Sequence, residues 1–454
     1  MGIHKQPVRC ILQGGLIFTL LLLGFSSCND TSKKKLNHAA ALGWREYVQT
    51  DLNMTEFYGS NFTLAARFMV QYPKAYVGPI IAASGGGLEI SKKDDATSLV
   101  ARFGNTNVEY ASVNIQVGKW HHLALVRINN SLELFFDGQQ TCPSGLANCW
   151  VTVGSAPSGT LRLGRPGTNP LSGTAESQHY GFIDDVAVFK AALSQNQIQS
   201  LISAPRLLGN EANLFAGWTF DTGTPSGGNL PQQLARPVVY QTITSSSTIV
   251  SQFPHTALVS QTRDNAFDEK LMKFPNNQVS LTLPFPKAEV WTVGQGWEGT
   301  ISHSGRAAFA WDFNLPSGST KDKPYFAVAA GPVIDLKNDR NCCGCGWPAD
   351  HIDIQHAPDE IGVYLHHVKN TAAVSMNQNV AVGTKLANAG DTGNAGCGSY
   401  HLHFAIHNKT ESNAGDLVTI PATFENYEVS TDNGATWSLI KKGVPKQGDW
   451  IRNP

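Results

Sequence analysis

Two histidines one residue apart, His401 and His403 in "GSYHLHFAIHN", are the residues of this chain best spaced for chemistry. The alternating apolar residues around them predict a β-strand, in which positions two apart point to one face. The imidazoles then stand side by side, with Leu402 and Phe404 on the other face. Such a pair suits a metal site, or one metal ligand beside one proton carrier; a strand with a polar, solvated face accounts for it equally well. A catalytic zinc takes three protein ligands and keeps one position open, so partners are expected on neighbouring strands. Upstream, "ISHSGRAAFAWDFNLPSGS" offers His303 and Asp312, and "HIDIQHAPDEIGVYLHHVKN" offers His351, His356, His366 and His367. Read as a strand, "AAFAWDF" puts Ala308, Ala310 and Asp312 on one face and Phe309, Trp311 and Phe313 on the other. A carboxylate there is costly to bury unless it is paired, metal-bound or satisfied by backbone donors.

The elements that must hold these groups are strands. The chain has 454 residues, enough for two or three domains, and a formal charge of −1, which leaves no basic field for nucleic acid. Glycine is abundant, charged residues are sparse, and short alternating runs between turns predict an all-β protein. "NFTLAARFMV" sets Phe62, Leu64, Ala66 and Phe68 on one face. "KWHHLALVRINNSLELFFDGQ" reads as two strands around Asn129 and Asn130, a residue type that tolerates hairpin turns. One helix is expected after Ser194, whose S-x-x-Q spacing to Gln197 is that of a capping box. "TGTPSGGNLPQQ" has the composition of a linker, and "VVYQTITSSSTIV" and "NQVSLTLPF" make the section up to residue 284 a β-rich connector.

The order "GKWHHLALVR", "LELFFDGQ", "LRLGR" and "FIDDVAVFKAALSQNQIQSL", closing at "LFAGWTFD", resembles laminin-G-like (concanavalin-A-like) domains over residues 44–222. That resemblance implies a jelly-roll sandwich and carbohydrate binding. Ca2+ is a candidate there at Asp184 and Asp185, although a turn or strand-end role fits the pair better. Further on, "VGQGWEGTISHSGRAAFAWDFNLPSGS", "FAVAAGPVIDL", "IDIQH", "GVYLHHV", "NVAVGTKLANAGDTGNAG" and "HLHFAI" resemble a lysostaphin-type metallopeptidase domain (peptidase family M23) over about residues 285–410. The resemblance implies a glycine-rich all-β core, cleavage of peptide bridges in bacterial cell walls, and Zn2+ held by His303, Asp312 and His403. It makes His401 and His366, the third residue of the Y-x-H segment "YLH", the catalytic pair beside the scissile carbonyl, with Tyr364 supporting the strand. In the commonest form of the family the first histidine stands four residues before the aspartate; here that position is Ala308, and His303 is nine residues ahead. "GTISHSG" matches a longer branch, in which a hairpin turning at Ser304–Arg306 brings both side chains to one metal. His351, His356 and His367 are read as structural.

Residues 1–28 read as an export signal: a basic start, then "GLIFTLLLLG", too short for a typical membrane span, then "GFSSCND". The last resembles a bacterial lipobox, with Phe25 where an aliphatic residue is commoner, and implies a lipid on Cys28 and attachment to an envelope membrane. In an oxidising compartment the six cysteines that remain favour disulfides over metal binding, with connectivity open. Cys142 and Cys149 can close the loop "CPSGLANC", and "CCGC" with Cys397 could tie an insertion to the strand of His401. The expected organisation is signal 1–28, tether 29–43, concanavalin-A-like domain 44–222, connector 223–284, and metallopeptidase domain with C-terminal extension 285–454. The expected function is an envelope zinc endopeptidase acting on peptidoglycan peptides, with a glycan-binding accessory domain. The alternative is an inactive lipoprotein that binds carbohydrate, peptidoglycan or a partner.

Overall fold

The computed structural model describes residues 38–43, 46–75, 78–93, 97–171, 177–204, 207–220, 238–243, 249–250, 258–260, 277–346, 348–358, 360–413 and 417–454. The signal, Cys28, most of the tether and most of the connector lie outside them. Among the described residues no helix is long and apolar enough to cross a membrane.

The N-terminal half is a sandwich of two antiparallel sheets. Trp120–Ile128, Phe62–Val70, Gly181–Phe189 and His38–Leu42 are successive neighbours in one sheet; Glu46–Asn53, Thr160–Leu163, Gly78–Ala83, Leu88–Lys92 and Leu99–Phe103 are successive neighbours in the other. The period-two pattern predicts this packing: Leu64, Phe68, Leu123 and Ile183 from one sheet meet Val48, Ile81, Ile90 and Leu161 from the other in one core. The expected hairpin is present, with Asn129 at φ 55° between strands paired from Ile128–Ser131 outward. The helix is Gln195–Ser203, and its capping box closes as the spacing demands. Two segments of the expected connector pair with the sandwich: Val238–Ile243 with Glu46–Asn53, and Leu258–Ser260 with His38–Leu42. Both cover backbone edges that would otherwise be open.

The calcium expectation fails on geometry. Asp185 Oδ2 pairs with Arg67 Nε at 3.1 Å and its Oδ1 accepts the Leu207 N–H at 3.1 Å, while Asp184 Oδ1 accepts the Asp185 N–H at 2.7 Å. Arg67 also donates to the carbonyls of Leu201, Ile202 and Ala204. Asp185, with Arg67, docks the end of the helix rather than holding a cation.

In the C-terminal half Gly331–Lys337, His351–Ala357, Glu360–Leu365, Leu402–His407, Trp311–Asn314 and Trp291–Gln295 follow one another across one antiparallel sheet. One face packs Ile352, Ile354, Tyr364, Leu402, Phe404, Trp311 and Phe313 into a core that also takes Leu281, Leu283 and Phe285. Tyr364 is fully buried, and its hydroxyl oxygen accepts the Val328 N–H at 2.9 Å, a supporting role. The opposite face carries Asp312 and His403. Among the described residues three disulfides form: Cys142–Cys149, Cys342–Cys345 and Cys343–Cys397. The last fixes the "CCGC" insertion to the loop leading into His401.

Candidate active site

Strand register gathers the central groups. Asp312 lies directly opposite His403 on one side, and Leu365 lies opposite it on the other. His366 follows Leu365 with φ of +73°, a left-handed conformation uncommon for a residue with a Cβ. Its ring centroid comes to 5.0 Å from that of His401 and 5.7 Å from that of His403. Gly390 makes this approach possible. A Cβ there would lie 2.7 Å from both His366 O and Val368 N, and the bare backbone bridges to His401.

Three potential ligand atoms converge at the centre. His303 is fully buried, and its Nδ1–H donates to Gly296 O at 2.8 Å, which fixes Nε2 as an acceptor. That Nε2 has no hydrogen-bond partner among the described residues and faces Asp312 Oδ1 at 3.3 Å. The same oxygen is 2.9 Å from His403 Nδ1, while Asp312 Oδ2 accepts from Gln295 Nε2 at 2.9 Å. The three donor atoms lie within 4.8 Å of one another. Two acceptors facing each other at this distance repel unless a proton or a cation lies between them. Two imidazoles and a carboxylate so arranged fit a divalent cation of the zinc type. Burial alone would raise the Asp312 carboxyl, yet the imidazoles of His303, His403 and His401 hold it well below the usual carboxylate range. Burial also lowers His403, against the pull of Asp312. Asp312 is therefore an ionised carboxylate, the state a metal ligand requires.

The other two histidines repeat the device. His366 Nδ1–H donates to Thr392 O and His401 Nδ1–H to Ser399 O, each at 2.7 Å, so both Nε2 atoms are acceptors. His401 Nε2 stands 3.5 Å from Asp312 Oδ1. Burial, then the neighbouring His401 and His403, push His366 well below the ordinary histidine value.

The arm that carries His303 differs from the expected hairpin. It is a chain of tight turns, with Ala307 N–H donating to Ser304 O at 3.1 Å and Ala310 N–H to Ala307 O at 3.1 Å. The strand begins only at Trp311, so Phe309 leaves the face of Trp311 and Phe313. It packs instead with Trp297 and with Tyr72 and Tyr180 of the sandwich. Two neighbours hold the arm. Thr419 accepts the Phe309 N–H and donates its own N–H to Arg306 O. From the sandwich, Lys74 O accepts the Gly305 N–H at 2.8 Å, and Glu298 Oε1 accepts the N–H groups of Lys74 at 2.7 Å and Ala75 at 3.2 Å. The long spacing from His303 to Asp312 is thus supported by the other domain. The reading of the sequence missed Gln295, which also accepts the N–H groups of Ile301 and Ser302. A lone glutamine in a strand carries no pattern; only the bulge between Val293 and Gln295 turns it toward Asp312. His367 is placed as structural, between the Tyr325 hydroxyl and Asn338 Oδ1, each at 3.2 Å. His356 Nδ1–H donates to Ala330 O at 3.0 Å, away from the site.

Residues 43–199 match the concanavalin A-like lectin/glucanases superfamily, and residues 310–414 match peptidase family M23. The chain therefore carries a concanavalin A-like domain and a peptidase domain. The match to the peptidase family starts after His303. Among solved structures, a candidate carbohydrate binding protein from Bacteroides ovatus is 14% identical, with a TM-score of 0.37, over 51% of this chain and 62% of its own. A heptameric SAP-like pentraxin from Limulus polyphemus is 14% identical, with a TM-score of 0.30, over 49% and 97%. Trypanosoma rangeli sialidase is 15% identical, with a TM-score of 0.25, over 32% and 22%. The chain thus spans less than two thirds of the length of the first and the last of these. No curated protein matches it.

Proposed function

We propose that this chain is a zinc metalloendopeptidase of the bacterial cell envelope that hydrolyses peptide bonds in peptidoglycan stems or cross-links. Lipid on Cys28 would anchor it, and the sandwich would hold it on glycan. The observation that carries the catalytic reading is the convergence of His303 Nε2, Asp312 Oδ1 and His403 Nδ1 beside the inward Nε2 atoms of His366 and His401. The chemistry supplied by zinc at those three ligands would be polarisation of a carbonyl and acidification of a water. His366 and His401 would do the proton work. With Nδ1–H tied to a carbonyl, each Nε2 can only accept; once protonated, it becomes a donor to the oxyanion or to the leaving amine. Burial makes a protonated His366 unfavourable, so it would give its proton back readily. Asp312 would offset part of the cation's charge, and Gln295 would hold its second oxygen in place. On the sandwich, a polar hollow edged by Arg102, Asn105, Asn107 and Asn169 offers hydrogen-bonding groups suited to sugar hydroxyls.

The test is digestion of purified peptidoglycan by the full chain, following new amino groups. The expected result is amine release that stops on chelation and returns with zinc. No release at any zinc level would favour the inactive, binding lipoprotein.

A further inference from the structure

A second constellation lies on the same face of the sheet. Counting across the pairings from His403 through Leu365 to His351, it begins two strands away, about 10 Å at the usual strand spacing. Asp335 and Asp353 are direct cross-strand neighbours, and His351 precedes Asp353 by two residues, on the same face.

The orientations repeat those of the first centre. His351 is fully buried, and its Nδ1–H donates to Ala349 O at 2.9 Å, so Nε2 presents a lone pair. That Nε2 has no hydrogen-bond partner among the described residues and lies 3.4 Å from Asp335 Oδ1. The outer oxygens are anchored: Asp335 Oδ2 accepts the Ser412 N–H at 3.0 Å, and Asp353 Oδ2 accepts the Glu411 N–H. Asp353 Oδ1, fully buried, has no partner among the described residues. The three inward atoms lie within 4.8 Å of one another.

Among the described residues neither Asp335 nor Asp353 pairs with a lysine or arginine, and the ion pair of Asp335 is with His351. A proton shared between His351 and Asp335 would satisfy that pair yet leave Asp353 Oδ1 without a partner among the described residues, a state avoided in native interiors. One cation satisfies all three atoms at once.

We propose that Asp335, His351 and Asp353 bind a second divalent cation of the zinc class. It would tie the Gly331–Lys337 strand to the His351–Ala357 strand and to the backbone at Glu411–Ser412. Asp335, with a side chain 17% exposed, gives the path of entry. The site stands independently of the peptidase reading, since none of its ligands belongs to the first centre.

The experiment measures metal bound to the full chain after loading with Zn2+ and dialysis, for wild type, His403→Ala, Asp353→Asn and the double variant. The expected contents are about two, one, one and zero per chain, and added Zn2+ should raise the Tm of His403→Ala but not that of the double variant. Asparagine nearly matches a protonated aspartate in shape, so a metal-free cluster would tolerate it without losing metal. The proposal is overturned if folded His403→Ala takes up no zinc, or if Asp353→Asn holds as much as wild type. Should Asp353→Asn not fold, His351→Gln takes its place with the same expected loss. A wild type that holds one zinc, kept in His403→Ala and lost in Asp353→Asn, would support this site and count against the first.

Discussion

Both halves of the molecule carry paired histidines beside an aspartate, and they serve opposite ends. In the sandwich His121 and His122 are adjacent on their strand, so they point to opposite faces. His121 is spent on both nitrogens: Nδ1–H donates to Asp137 Oδ2 at 2.8 Å, and Nε2 accepts the Gln116 N–H at 2.9 Å. Its ring stacks on Phe136 with centroids 5.0 Å apart. His122 is buried on the other face, where desolvation, then Arg67, push it down to about 3. In the peptidase domain His401 and His403 are two apart and share a face. There a carbonyl takes one nitrogen of His303, His366 and His401 and leaves the other pointing inward. Spacing decides the face, and what surrounds the second nitrogen decides what the ring can do.

The strongest break in this contrast is removal of one inward donor. Asp312→Ala or His403→Ala should abolish metal binding at the first centre and lower peptide hydrolysis by roughly 10³-fold or more. His121→Ala should leave metal and activity unchanged and cost only about 1–3 kcal/mol of stability, read by denaturant unfolding. If His121→Ala removed metal, the distinction would be wrong. Next, His366→Ala or His401→Ala should lower kcat by roughly 10²–10⁴-fold with metal content kept, which separates proton carriers from ligands. Loss of metal in either would move that residue into the ligand set. Gln295→Ala should weaken metal affinity by about 10–100-fold, measured by competition with a chelating dye.

The smallest effect concerns the seam between the halves. Burial raises the Glu298 carboxyl from 4.5 to about 7, against the hydrogen bonds and charges of Lys74, Lys92 and Ala75. Because the folded value lies above the unfolded one, the contribution of Glu298 is full below the unfolded value and is lost as pH rises through about 7. Glu298→Gln keeps an acceptor for Lys74 and Ala75 but cannot ionise. The fall in Tm between about pH 5 and about pH 8 should therefore be smaller by a few degrees in the variant. An equal fall in both proteins would remove Glu298 from the account.

What could be read from the sequence was whatever repeats at period two. The sandwich strands, the Asn129 hairpin, the Ser194 cap and the shared face of His401 and His403 all follow from local alternation and turn chemistry. The arm of His303 did not, because its shape comes from Lys74 and Tyr72, which lie more than two hundred residues away. The role of Asp185 was ambiguous for the same reason, since Arg67 reaches it from another strand. His351 looked structural because its partners, Asp335 and Asp353, come together only through the pairing of two strands.

His303, despite its long spacing from Asp312, would be a ligand of the cation at the first centre. Calorimetric titration of Zn2+ into the full chain carrying Asp353→Asn, with and without His303→Ala, checks this. One tight site is expected in the first protein, and its loss, or a weakening of at least about 100-fold, in the second. Unchanged binding in the second would show that the cation does not use His303.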